Sequence, residues 1–201
     1  MRHFAALAVL AAILTLLLVP RLLPAAVTPD AKWPRGIVNV YAANGMTDTL
    51  ITAADRWTDS GAEVKIRVVL YRKDADVIVN TDDRRLRKMC GRDCLGYSTA
   101  IGRPASGHSE ILLRSNLGGD PRPLSVWVAA HELGHVLGLH HRNGHKCSVM
   151  SPRAFDTRCA PSLGMNFPTR AELACVPAPA DVDVAAGLYG GAAASRDPRC
   201  K

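Results

Sequence analysis

Residues 131–141 read HELGHVLGLHH, four histidines and one acid within eleven positions. Residues four apart share a helix face, so on a helix His131 and His135 project together and two imidazoles can grip one metal ion. Glu132 follows the first ligand directly and lies beside the pair without competing for their place. Two ligands underfill zinc, because a catalytic site takes three protein ligands and keeps one position open. Gly138 can adopt a positive φ that side chains resist, letting the chain leave the helix and double back. His141, six residues after His135, is then the expected third ligand, which completes the spacing H-E-x-x-H-x-x-G-x-x-H. His140 is one residue short of that spacing and reads as a flanking residue. His145 follows Asn143-Gly144, a turn signal, and reads as a surface histidine.

These residues need a helix beneath them, and Ser125 to Leu139 is the clearest one in the chain. Ser125 is a plausible N-cap, and Gly138 marks the end. Upstream, Gly36 to Ala42 has the alternation of a strand. Thr47 can cap a helix to Thr58 whose apolar face is Leu50, Ile51, Ala54 and Trp57. Val64 to Tyr71 is a period-two strand with Val64, Ile66, Val68 and Leu70 on one side. Ala75–Val79, Gly96–Ile101 and Glu110–Leu113 read as further short strands, and the charged stretch from Thr81 to Asp93 reads as loop. From Arg142 to Pro179 periodicity is scarce, apart from a turn or two of helix at Thr169–Cys175, and a last helix spans Asp181–Tyr189 with Val182, Ala185 and Leu188 inward. The expected class is α+β: a mixed sheet, a metal-motif helix, and a small irregular C-terminal part.

The chain has 201 residues, and Phe4–Val19 (FAALAVLAAILTLLLV) runs for sixteen residues without a charge. That is somewhat long for a signal-peptide core and short of the roughly 20 residues a spanning helix prefers. Residues 1–26 are therefore expected to be a cleaved signal peptide or an uncleaved membrane anchor, with 27–35 a short linker and 36–201 one domain. Either reading places the domain outside the cytoplasm, secreted or anchored. The six cysteines, Cys90, Cys94, Cys147, Cys159, Cys175 and Cys200, agree, since an even count in an exported chain argues for disulfides. Nearest-neighbour pairing, Cys90–Cys94, Cys147–Cys159 and Cys175–Cys200, is the expectation. The net charge is +7, with one cluster at Arg84-Arg85-Leu86-Arg87-Lys88. No aromatic residues interleave with basic ones, so no nucleic-acid platform is expected. A monomer is expected, touching membrane only through its N-terminal segment.

HELGHVLGLHH followed by Ser148-Val149-Met150 resembles the metzincin metallopeptidases, in which a methionine turn underlies the metal; Met150 is placed for it. Met150-Ser151-Pro152 resembles the opening of the specificity wall in the matrixin type. Ala75–Val79 resembles a core strand of that type, Gly96–Ile101 its substrate-bearing edge strand, and Asp181–Gly190 its closing helix. The resemblance covers about residues 36–190. It implies a zincin-like fold, one catalytic zinc on His131, His135 and His141, Glu132 as general base, and hydrolysis of protein or peptide substrates. The substrate would lie along Gly96, Tyr97, Ser98, Thr99 and Ala100, with Pro152 at the pocket wall. The chain departs from the family in several places. No cysteine precedes Cys90, so latency through a prodomain cysteine is not expected. Asp74, Asp76 and His108 are too scattered for a second, structural zinc, and no pattern points to calcium although the family admits it. The rival reading is a non-catalytic, zinc-stabilised binding module (a pseudoprotease). Glu132 argues against it, because a structural site has no need of that carboxylate.

Overall fold

A computed structural model describes residues 32–105, 107–117, 119–143, 148–152 and 176–194. The apolar run Phe4–Val19, the cysteines 147, 159, 175 and 200, His145 and the expected turns at Thr169–Cys175 lie outside these residues. Among the described residues no helix is long and apolar enough to cross a membrane.

Five strands form one sheet in the order β2-β1-β3-β5-β4. They are β1 (Ile37–Ala42), β2 (Lys65–Val68), β3 (Val77–Thr81), β4 (Gly96–Ser98) and β5 (Ser109–Leu113). β1 pairs in parallel with β2 and β3, and β3 with β5, while β4 runs antiparallel to β5 at the edge. The sheet is therefore mixed, as expected from the sequence. One face of it carries Val38, Val40, Ile66, Val77, Val79, Ile111 and Leu113, all buried. Helix α1 (Thr47–Thr58) and helix α3 (Pro123–Val136) belong to the same buried cluster, α1 contributing Leu50, Ala53, Ala54 and Trp57. Trp57 donates its indole N–H to the Ala130 carbonyl of α3 at 2.8 Å, which locks the two helices together. Packing reaches back to Trp33, which is buried and donates to the Val136 carbonyl at 2.6 Å.

Several expectations need correcting. Asp83–Cys90, read as loop, is helix α2. Asp82 caps it, accepting from the Arg84 and Arg85 backbone N–H groups, and Leu86 is its one buried side chain. A helix with a single core anchor and a charged remainder shows no apolar period to read. Ile51 faces solvent and Ala53 takes its place inward, so the α1 face follows i, i+3, i+4, i+7 from Leu50. β2 ends at Val68, and Leu70 is left 84% exposed. Ser125 is not a cap: Arg122 is, with Pro123 in the first helical turn, where a missing N–H costs nothing. The Ser125 hydroxyl lies 2.9 Å from both the Asp120 and Arg122 carbonyls instead. The last helix, α4 (Pro179–Tyr189), starts two residues before the expected position and buries Val182 and Ala185.

Candidate metal centre

His131 and His135 stand on the last turns of α3 with side chains almost wholly buried. At Gly138 φ is +95°, and the chain turns out of the helix there. His141 returns to the other two. Its Nε2 lies 3.1 Å from His135 Nε2 and 3.2 Å from His131 Nε2. These three are the described residues whose ligand atoms cluster tightly enough to hold a metal ion. His140 is exposed and lines the same cleft without joining the cluster.

Hydrogen bonding decides the tautomers of the first two rings. His131 Nδ1 sits 2.6 Å from the Val149 carbonyl and His135 Nδ1 sits 2.8 Å from the Leu139 carbonyl. A carbonyl only accepts, so each Nδ1 carries the proton and each Nε2 presents a bare lone pair. Burial, the leading cause in each case, holds His131 down to about 3 and His135 to about 4, and lowers His141 as well. The rings are therefore neutral at ordinary pH, the form that ligates metals. Three Zn–N bonds of about 2.0–2.1 Å at tetrahedral angles place the nitrogens about 3.3 Å apart. The observed separations fit that spacing. With both donor hydrogens committed to carbonyls, converging lone pairs at this distance want a cation between them.

Glu132 is buried beside the cluster, and its Oε2 has no hydrogen-bond partner. Burial pushes its carboxyl up to about 8, against an opposing contribution from the Ser98 backbone N–H. β4 passes so close that a Cβ on Gly96 would stand 2.5 Å from Glu132 Oε1. Gly96 is thus the residue that makes room for the carboxylate, and any larger side chain there would displace it. Gly96 to Ala100, His131, Glu132, His135, His141 and Pro152 line one cleft of about 1240 Å³. Its lip is the loop 91–93, closed by a Cys90–Cys94 disulfide. Arg114 braces that loop by donating to the Cys94 carbonyl and to the Arg92 carbonyl. β4 is the outermost strand of the sheet order, so it borders the cleft as an edge.

Met150 is fully buried in the turn Ser148–Ser151 and lies against Gly134 of the motif helix. A Cβ on Gly134 would stand 2.3 Å from Met150 Sδ and 3.2 Å from Trp57 Cζ2. The glycine inside the metal motif is therefore the seat of the methionine. Gly134→Ala is expected to cost about 1–3 kcal/mol, the usual price of overpacking, and to move the turn under His131. Thermal unfolding of the variant checks it; an unchanged midpoint would show that Met150 gives way freely.

The turn has a support that the sequence reading passed over. Asp181, fully buried at the start of α4, accepts from the Ser148 hydroxyl, from the Val149 N–H at 2.8 Å and from the Ala178 N–H at 3.2 Å. Burial raises its pKa despite these bonds. Because the Val149 carbonyl orients His131, α4 acts on the metal ligand through the turn. The available signal was an acid just inside a Pro-initiated helix, where it suits the helix dipole; nothing local showed that it reaches thirty-three residues back.

No family model matches the chain, and no curated protein matches its sequence. Solved structures of myroilysin are similar at 18% identity. One aligns over 55% of this chain and 46% of that one with a TM-score of 0.39, the other over 55% and 52% with 0.37. The chain spans about half the length of those structures. The mixed sheet, the motif helix with its returning third histidine and the buried Met150 together make an α+β fold built around a three-histidine cluster.

Proposed function

We propose that the protein is a zinc-dependent endopeptidase of matrixin type, working outside the cytoplasm as a secreted or membrane-anchored enzyme. The observation that carries this reading is the unpartnered Glu132 Oε2, buried beside three converging imidazole nitrogens. A binding module would gain nothing from an unsatisfied buried carboxylate, which costs folding free energy.

His131, His135 and His141 would hold the ion. A zinc ion bound there supplies Lewis acidity, polarising a carbonyl and lowering the pKa of water toward about 7. Glu132 takes the proton of the attacking water at Oε2 and later delivers it to the departing amine. Its raised pKa suits both tasks, since the group can accept and give back a proton near neutrality. The edge of β4 offers main-chain hydrogen bonds to an extended peptide, which sets register. The Met150-Ser151-Pro152 sequence and Pro152 at the cleft wall support the matrixin assignment. The apolar segment Phe4–Val19 and the six cysteines support export.

The test is cleavage of an unbiased peptide library, run with a chelator, without it, and after zinc is restored. Cleavage should vanish with the chelator and return with zinc. Absence of cleavage by folded protein that holds one zinc would favour the binding-module reading.

A further inference from the structure

Four large apolar side chains stand exposed among the described residues, and of these only Leu70 and Tyr71 are neighbours. They are also the two most exposed, at 84% and 64%. Both follow the end of β2 at Val68 and precede the short 3₁₀ helix Arg72–Asp74. A single apolar residue in water is ordinary, but an adjacent pair at the tip of a connection makes an apolar knob. The knob has a cationic collar. Arg67, Arg72 and Lys73 are exposed, and none of them is in an ion pair among the described residues. The Lys73 ammonium lies 5.9 Å from the centre of the Tyr71 ring. Glu110, whose charge Arg72 feels, is already held by Arg85 at 3.0 and 2.5 Å. Asp76 is engaged as well, accepting from the Asn39 backbone N–H at 2.8 Å. That leaves Asp74 as the exposed acid against three cations.

We propose that the Leu70–Tyr71 tip, with Arg67, Arg72 and Lys73 around it, docks the domain on an anionic lipid surface. A hydrophilic polyanion would match the cations and leave the leucine in water. A bilayer with anionic headgroups matches both. Leu70 enters the acyl boundary, and the Tyr71 ring rests at headgroup level with its hydroxyl in water. The lysine and arginine stems lie along apolar surface while their charged ends meet phosphates. β2 and β4 are the two outer strands of the sheet. Four strand spacings, about 19 Å, therefore separate the docking edge from the strand that borders the metal cleft, and the cleft stays open to solvent. The inference uses no residue of the cleft and stands apart from the peptidase reading.

Backbone hydrogen exchange of the full chain reads residues 69–74 directly, whatever else holds the protein to a vesicle. The vesicles are phosphatidylcholine alone or an equal mixture with phosphatidylglycerol. Exchange in this segment should slow on the mixed vesicles and stay unchanged on phosphatidylcholine. Leu70→Glu should abolish the protection. Arg72→Ala should need about 5-fold more phosphatidylglycerol for half-maximal protection, the contribution of one basic residue near such a surface. Both side chains are exposed, so each variant should keep the wild-type unfolding midpoint. Unchanged exchange on the mixed vesicles, or equal protection by both lipids, overturns the proposal. Protection by soluble polyglutamate, or by raised protein concentration without lipid, assigns the tip to an acidic polypeptide or a second copy and overturns it as well. Should Leu70→Glu not fold, the comparison of the two lipids and the Arg72→Ala titration still decide.

Discussion

Glu132→Gln is expected to lower the rate of peptide hydrolysis by about 10²–10⁴-fold, the range contributed by a positioned acid–base group, while the protein still binds one metal ion. Glutamine keeps the shape of the side chain and an oxygen to accept the Ser98 N–H. It removes the carboxylate that burial places at a disadvantage. Folding stability should therefore hold or rise, and loss of rate cannot be blamed on unfolding. The ligands lie on other residues, with separations that do not depend on Glu132. Initial rates, metal content and thermal unfolding of the same preparation decide the matter. Wild-type rates in a metal-loaded variant would remove Glu132 from the chemistry.

Asp181→Ala is expected to be the most destabilising of the substitutions considered, by about 3 kcal/mol or more. Truncation would strand the Ser148 hydroxyl and the Val149 and Ala178 N–H groups, and each buried donor left without an acceptor costs about 1–3 kcal/mol. In a domain of this size that corresponds to a fall in the unfolding midpoint of about 6–12 °C. A second effect should travel through the turn. The Val149 carbonyl fixes the His131 ring, and loss of such an orienting partner typically weakens metal affinity about 10–100-fold. Asp181→Asn retains one acceptor but turns an amide N–H₂ toward donors, so it should fall between wild type and alanine. Thermal unfolding and competition with a chromophoric chelator measure the two effects. A midpoint within a degree or two of wild type would mean that the turn holds itself.

The zinc-type motif is legible because its geometry is local. The faces of one helix and one glycine bend bring His131, His135 and His141 together, and spacing alone encodes both. The strands were legible where one face is buried, as in β1 and β5. Reading failed where a residue's partner is remote or its element is weakly anchored. Helix α2 touches the core through Leu86 alone, so its charge pattern looked like loop. Ile51 and Leu70 continue an apolar pattern beyond the surface that covers it. Gly134 and Gly96 are explained only by Met150 and Glu132 lying against them. The role of Asp181 belongs to the packed structure, where it grips a distant turn.

The exit of α3 is held from both directions along the chain. Helix C-termini leave carbonyls without partners. Here the Val136 carbonyl accepts from the Trp33 indole and the Leu137 carbonyl accepts from the Tyr189 hydroxyl at 2.9 Å. The Trp33 backbone N–H in turn reaches that hydroxyl at 3.4 Å, so residues from both ends of the described fold meet at the exit of the motif helix. Among the described hydrogen bonds the Trp33–Tyr189 contact has the greatest sequence separation, and such non-local closures are slow to form. A chain emerging from the ribosome therefore cannot complete this joint until Tyr189 is out. The exit of the motif helix therefore depends on two residues, Trp33 and Tyr189, that stand at opposite ends of the described fold.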